Sequence, residues 1–322
     1  MNKAFQFHAF SKNLDLVLKA SNPKIHIKPW FEEGNYICPI GFTLHSLKGL
    51  SDEFDDQLTI EHAPPKSMGG KACCLVRKDI NNKSGHTSDK MLLDFLKGLR
   101  FNYGEGPILS KLFMGLPRMK SPLALFQVDK NQRLNFTILS SDLESRLHPD
   151  FFKSGFSMQM QFKIQEMNQQ IKCLLLKIAY LHAFKQLGYS LLLDKRGGNP
   201  HYKQVREQIL NPDKDIFPIV LEIVREKKLE GVAIITHPKK VACLIVGYKL
   251  VLEGTDFWVN VFLPAPDSRG FKALEFITDE LKKKPRVNIT YQQIGDFDIS
   301  GGIKNAKYFY HFWDKHRGWK YR

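Results

Sequence analysis

The residues of this chain that are best suited to chemistry lie within one short stretch, residues 58–89. Glu61 and His62 stand at the end of an apolar run, and Asn81, Asn82 and His86 follow a second one. Carboxylate and amide oxygens are the ligands that Mg²⁺ and similar hard cations prefer. An imidazole beside them can polarise a water, and a bound ion can stabilise a pentacovalent phosphate and its leaving oxygen. The stretch therefore predicts a site for metal-assisted phosphodiester hydrolysis.

Two strands must hold the first pair of residues. The apolar run that ends at Glu61-His62 is short, and residues 72–76 form a second run typical of a strand. Between them, residues 64–70 contain two prolines followed by two glycines, a composition typical of a connecting loop. The sequence predicts a strand, a loop and a second strand.

A helix must hold the asparagines. Asp79 has the character of an N-cap, which would place Asn81 and Asn82 in the first helical turn. Asn82 and His86 are four residues apart and would share one face of that helix. An ordinary loop is the alternative, because Asn-Asn-Lys-Ser-Gly is also a good turn composition. We favour the functional interpretation, because a turn would not need these polar groups around two strands and a helix start.

The same stretch resembles the ββα-metal fold of HNH endonucleases. In a bacterial subgroup of that family the pattern reads roughly L-T-x-E-H-x-P-x-x-x-G-G-K and, later, C-N-N-x-x-G-H-x-x-D. The matching residues of this chain are Leu58, Thr59, Glu61, His62, Pro64 (or Pro65), Gly69, Gly70, Lys71, Asn81, Asn82, Gly85, His86 and Asp89. The match covers about thirty residues, and several spaced polar positions agree at once.

The resemblance implies a role for each polar residue. Glu61 and Asn81 would hold a single Mg²⁺ or Mn²⁺ ion, and His62 would be the general base. Asn82 or His86 would complete the metal shell or hold phosphate. His86 could equally contact a ligand of the ion and not the ion itself. The middle Asn of the family motif has no clear counterpart, so we expect a backbone carbonyl to orient His62.

Basic residues beside the motif are candidate phosphate contacts, by charge and position only. They are Arg77, Lys78 and Lys83.

A zinc knuckle common in the family is degenerate in this sequence. Two C-x-x-C pairs would form it, but the four places hold Cys38, Gly41, Arg77 and Ile80. Other HNH domains, including that of the RNA-guided CRISPR nucleases, also lack these cysteines. We therefore expect no structural zinc, with Ile80 filling a former sulfur position by apolar packing.

Composition narrows the class of protein. The chain has 322 residues, enough for two domains, and its net charge of +15 favours a polyanionic partner, nucleic acid first. No apolar window is long enough for a membrane span, and the N-terminus lacks a signal-peptide pattern. Five cysteines without framework spacing argue against a secreted disulfide scaffold. We expect a cytoplasmic protein with no membrane partner.

The expected fold class is α+β. Residues 1–120 would form the HNH nuclease domain, with its core at 37–100 and an irregular N-terminal segment carrying a strand and a short helix. Residues 121–322 would form an α+β domain with an antiparallel sheet, which binds substrate or a partner. Within it we predict a hairpin at 123–139, a long helix at 162–189 and helices at 200–211, 216–228 and 270–284. Strands are predicted at 231–237, 241–250, 257–263 and 287–291.

Taken together, the residues and the resemblance predict an endonuclease that hydrolyses DNA. The resemblance also implies a role in restriction or phage defence, with a homodimer or a defence-system protein as further partners. Two alternatives stay open. One is a nucleic-acid-binding protein whose HNH fold has lost activity, and the other is a nuclease that cleaves RNA.

Overall fold

The computed structural model describes residues 2–20, 34–53, 56–114, 123–129, 131, 133–139, 158–160, 164–194, 197–264, 271–284 and 287–295. The fold is α+β with antiparallel sheets and several helices, which confirms the predicted class at that level. Among the helices within these ranges, none is both long enough and apolar enough to cross a bilayer.

The helices are α1 (Lys3–Ala20), α2 (Lys78–Asn102), α3 (Gln169–Leu187), α4 (Tyr189–Leu192), α5 (Pro200–Leu210) and α6 (Lys272–Lys283). The strands of the first half are β1 (Tyr36–Ile37), β2 (Leu44–His45), β3 (Leu58–Ala63), β4 (Lys71–Arg77), β5 (Ile108–Met114), β6 (Leu123–Val128), β7 (Leu134–Ile138) and β8 (Met158–Met160). The later strands are β9 (Leu193–Asp194), β10 (Gly197–Gly198), β11 (Leu221–Val224), β12 (Gly231–His237), β13 (Leu244–Leu252), β14 (Thr255–Leu263) and β15 (Thr290–Gln293).

The chain forms two compact units. The first comprises the described residues of 1–89, 168–251 and 256 onward, and the second those of 90–167 and 252–255. Helix α3 belongs to the same unit as the β3–β4 hairpin, against which it packs. The expected domain boundary at residue 120 stays a prediction. The separation of nuclease and substrate-binding roles between domains stays a prediction.

Helix α3 forms the centre of the first unit. Thirteen of its nineteen residues are buried, and it contacts β3, β4, β12 and α5. A helix that is apolar on all faces belongs inside a protein rather than on its surface. The helix begins later than the predicted residue 162, because the Asn168 side chain accepts a hydrogen bond from the Ile171 backbone N–H and caps it.

The largest sheet of the first unit has five strands in the order β11-β14-β13-β12-β15. The pairs β11–β14, β12–β13 and β12–β15 are antiparallel. Strand β12 lies next to α3, so the sheet covers one side of the central helix. The predicted antiparallel sheet is therefore present.

Two predicted elements were wrong. In the N-terminal segment, where a short helix was expected, residues 3–20 form one long helix, α1, whose buried Phe7, Phe10, Leu14 and Val17 recur at three- and four-residue spacing. Residues 21–33 of this segment lie outside the described residues. Residues 216–228, predicted as a helix, contain strand β11 instead. This run is rich in β-branched Ile and Val, which favour a strand when a partner such as β14 is available.

The second unit is built around a small four-stranded sheet in the order β7-β6-β5-β8. Its core contains the buried Phe101, Ala124 and Phe126, with Ile108 and Ile164 packed against them. The predicted hairpin at residues 123–139 is confirmed as the antiparallel pair β6–β7.

The predicted strand–loop–strand–helix order at residues 58–102 is also present. Strands β3 and β4 pair antiparallel, and α2 follows β4 without an intervening loop. The Lys78 backbone N–H donates to the carbonyl of Gln57 at 2.8 Å, which ties the helix start to the residue before β3. Asp79 consequently lies inside the first turn, and the prediction that it is the N-cap was wrong.

The loop between β3 and β4 depends on its glycines. A Cβ atom at Gly70 would lie 1.5 Å from the backbone carbonyl oxygen of Pro64, and Gly69 has a φ of +82°. Any side chain at residue 70 would therefore force the loop backbone apart, while residue 69 has the left-handed conformation that glycine adopts most easily.

We expect Gly70→Ala to lower the free energy of unfolding by about 3 kcal/mol or more, because the clash is with backbone rather than with a flexible side chain. Urea denaturation measures this change. Gly198→Ala is the matched control, since its Cβ would meet only the Phe42 ring at 3.3 Å and should cost less than about 1 kcal/mol. Equal stability of the two variants would contradict the described loop geometry.

Candidate functional site

A β-bulge separates Glu61 from His62. Glu61 is paired with Cys74 and His62 with Ala72, so Cys73 is an extra residue in β4. A bulge bends a strand and re-aims the side chains beside it. Although successive residues of a regular strand face opposite sides, Glu61 and His62 line the same cavity.

The cavity has a volume of about 180 Å³ and lies in the first unit. Its polar lining is formed by Glu61, His62, Lys66, Asn81, Asp89 and Lys177. Its apolar lining is formed by Ile60, Ala63, Pro65, Leu174, Ile178 and Leu181. The structure thus brings together three of the residues predicted from sequence, namely Glu61, His62 and Asn81.

Glu61 is held in a buried ion pair. Its Oε1 atom lies 2.9 Å from the Nζ of Lys177, and the two side chains are 9% and 6% exposed. Its other oxygen, Oε2, is buried and has no hydrogen-bond partner among the described residues. Because a buried carboxylate oxygen without a partner is costly, Oε2 is the natural position for an additional cation or donor.

Asn81 is oriented by strand β3. Its side-chain nitrogen donates to the Thr59 hydroxyl at 3.0 Å and to the Ile60 carbonyl at 3.4 Å. These bonds turn the amide nitrogen toward the strand, and the carbonyl oxygen is the atom of this side chain that could ligate a metal ion.

A single divalent cation fits this donor set. Glu61 and Asn81 line one cavity, and each side chain offers an oxygen of the hard type that such an ion prefers. Among the described residues, no group of three or more His, Cys, Asp or Glu side chains could hold a metal. An ion bound here would therefore take most of its ligands from water and substrate oxygens, as Mg²⁺ commonly does.

The other predicted site residues divide into those outside the cavity lining and those whose side chains lie outside the described residues. Asn82 and Lys78 are exposed and do not belong to its lining. Lys83 and His86 lie within α2, but their side chains are outside the described residues, so the choice between Asn82 and His86 stays a prediction.

Arg77 lines a different cavity, of about 330 Å³, also in the first unit. Its guanidinium donates two hydrogen bonds of 2.6 Å to the two carboxylate oxygens of Asp79. Such a bidentate pair fixes the guanidinium and uses two of its donors. Phosphate would have to compete with Asp79 for Arg77.

Sequence reasoning gave no role to three of the polar lining residues, Lys66, Asp89 and Lys177. Asp89 belongs to the family-like motif, and its position eight residues after Asn81 would have placed both on one face of α2. Lys177 is a lone charge within the apolar run LLLKIAYL, which is the signal of a buried cation in need of a partner. Nothing in the sequence identifies Glu61 as that partner.

The electrostatics of the cavity favour a neutral imidazole. Partial burial and the nearby charge of Lys66 lower the pKa of His62 below its ordinary value of 6.5, and Glu61 opposes this shift. Below its pKa, His62 would be protonated and unable to accept another proton. At neutral pH the imidazole is therefore in the form that a general base requires.

We expect an NMR titration to give His62 a pKa below 6.5, and Lys66→Met to raise it, because that substitution removes a neighbouring positive charge. The resonance can be assigned by its loss in His62→Gln. Lys12→Met, which neutralises an exposed lysine on α1, should leave the pKa unchanged. A His62 pKa that does not respond to Lys66→Met would contradict the described electrostatics.

The four knuckle positions converge in space. The Gly41 backbone N–H donates to the Cys38 sulfur at 3.4 Å. A Cβ atom at Gly41 would lie 2.9 Å from Cδ1 of Ile80 and 3.6 Å from the Cys38 sulfur. Ile80 therefore packs where the resemblance places a cysteine. Burial raises the pKa of the Cys38 thiol and so disfavours the thiolate that zinc would require.

We expect EDTA to leave the melting temperature within about 2 °C of its untreated value, because the resemblance predicts that packing around Ile80, and not zinc, holds this corner. Metal analysis of the purified protein should find far less than one zinc per chain. One tightly held zinc, or unfolding in EDTA, would show that Cys38 and the nearby Cys73 and Cys74 had been misinterpreted.

Comparisons of this chain with protein-family models, with curated proteins and with solved structures found no match.

Proposed function

We propose that this protein is a divalent-metal-dependent endonuclease of the HNH kind that hydrolyses phosphodiester bonds in DNA. One observation carries the proposal: Glu61, His62 and Asn81 line a single cavity, although they come from a hairpin and from the helix that follows it. The strand order, the loop glycines and the converging knuckle positions are consistent with it.

The proposed mechanism assigns one task to each of these residues. Glu61 and Asn81 would hold a Mg²⁺ or Mn²⁺ ion, which supplies charge neutralisation at the phosphorus and at the leaving 3′ oxygen. His62 accepts a proton from the attacking water, a task for which its lowered pKa keeps it neutral. Asn81 keeps its amide aligned through its bonds to Thr59 and Ile60.

The choice of DNA rests on charge and on the resemblance. A net charge of +15 attracts a polyanion and predicts binding that weakens steeply with salt. Restriction or phage defence is the role that the HNH resemblance suggests. The site chemistry would also act on RNA, which is therefore included as a substrate in the test.

A second candidate function is nucleic-acid binding without catalysis. The buried ion pair between Glu61 and Lys177 favours it, because an ammonium already neutralises the carboxylate that would hold the metal. The unpartnered Oε2 of Glu61 favours catalysis, since the ion pair leaves one oxygen available to a second cation.

We expect His62→Ala to slow nicking of supercoiled plasmid by about 10²–10⁴-fold, because the imidazole acts as a base in the transition state. DNA affinity should change by less than about threefold, since distributed lysines and arginines supply it. Gel electrophoresis measures the first quantity and fluorescence anisotropy the second. His8→Ala, at an exposed position on α1, is the matched control and should behave as wild type.

The same assay separates the candidate functions. It uses plasmid DNA and a structured RNA, each with Mg²⁺, Mn²⁺ or EDTA. Cleavage of RNA alone would replace the proposed substrate, and DNA binding without cleavage in any metal would favour the non-catalytic function. Wild-type nicking by His62→Ala would remove His62 from the mechanism.

A further inference from the structure

Lys177 is a buried cation in the wall of the candidate site. It belongs to α3, and its Nζ lies 2.9 Å from Oε1 of Glu61. It lines the cavity that contains Glu61 and His62, and it also lines the neighbouring cavity that contains Arg77. A phosphate bound near Glu61 would therefore place its negative charge beside the Lys177 ammonium.

Stability alone does not account for a lysine at this position. Removing two charges from water costs several kcal/mol per ion, and apolar pairs of similar volume often stabilise a core equally well. The residues on either side of Lys177 in α3, Leu176 and Ile178, are apolar and buried. A charged pair that opens onto a cavity is better explained by a ligand that needs the charge.

The other described cations near the motif are less suited to hold a phosphate in a fixed position. Arg77 is paired with Asp79, and Lys78 is exposed outside the cavity lining. Lys66 lines the cavity but is an exposed side chain on the loop between β3 and β4. Lys177 combines burial, a fixed partner and a rigid helix, as preorganised electrostatic catalysis requires.

We propose that Lys177 is a further catalytic residue, which binds a non-bridging oxygen of the scissile phosphate while it shares Glu61 with the divalent ion. The proposal rests on the proposed endonuclease function. One carboxylate would hold the ammonium at Oε1 and the metal ion at Oε2, which places two positive charges beside one phosphate.

This arrangement has a consequence that a purely structural role would not have. Two cations on one carboxylate repel each other, so Lys177 weakens metal binding while it promotes cleavage. Removal of its charge should therefore tighten metal binding and slow the reaction. If Lys177 only held Glu61 in place, its loss would weaken both.

The test compares Lys177→Met and Lys177→Gln with wild type. Isothermal titration with Mn²⁺ alone gives the metal affinity, and plasmid nicking at saturating Mn²⁺ gives the rate. We expect the Mn²⁺ Kd to fall about tenfold and kcat to fall about 10²–10³-fold. Lys185→Met, the same substitution at an exposed position of α3, is the matched control and should change neither.

The conservative variant Lys177→Arg keeps the charge, so its Mn²⁺ affinity should stay close to wild type and part of the rate should return. A parallel loss of metal binding and cleavage in Lys177→Met would overturn the proposal, and so would a wild-type rate. Failure of both uncharged variants to fold, while Lys177→Arg folds, would mark Lys177 as a structural counter-ion and overturn it as well.

Failure of the proposed function would look different. In that case wild-type protein would bind no Mn²⁺ or would cleave no DNA, and the proposed role of Lys177 would be overturned together with the proposed function. If wild type cleaves DNA and the uncharged variants cleave equally well, only the role of Lys177 is overturned.

Discussion

Burial of most of helix α3, thirteen of its nineteen residues, is the constraint on which the rest of the first unit depends. The β3–β4 hairpin covers one side of this helix and the five-stranded sheet another. Side chains fasten both partners to its backbone: the Cys73 thiol donates to the Leu181 carbonyl at 3.2 Å, and the Tyr248 hydroxyl donates to that of Leu175 at 2.9 Å. Since a fully buried Leu or Phe contributes about 1.5–3 kcal/mol, the apolar residues of α3 can together offset the cost of burying Lys177.

The candidate site is a by-product of this packing. A ββα element alone would present Glu61 and Asn81 to solvent on one side, but α3 adds Leu174, Ile178 and Leu181 to the apolar lining and supplies the buried cation Lys177. Glu61 and Lys177 thus lie where water is restricted and where charge interactions are stronger than at the surface. The helix that contributes most to the core also supplies the buried charge beside Glu61 in the candidate site.

Local patterns predicted the elements of this site, and long-range contacts did not follow from them. The apolar runs, the loop glycines and the polar helix start gave β3, β4 and α2, because their signals lie within a few residues. The pairing of Glu61 with Lys177 could not be predicted, because the two residues are far apart in the chain and no local rule joins them. Strand β11 was missed for a related reason. The local sequence leaves the choice between helix and strand open, and pairing with β14 decides it.

The bulge at Cys73 bears on how the site could change during evolution. Its effect comes from the number of residues in β4 and not from their chemical identity, since one additional residue shifts the register after Glu61. Because strand side chains alternate with a period of two, no single replacement elsewhere in β4 reproduces that shift. Loss of the Cys73 codon would restore regular pairing between β3 and β4 and remove the bend that the extra residue introduces opposite Glu61 and His62. Insertions and deletions in β4 can therefore change this register, whereas single substitutions there do not.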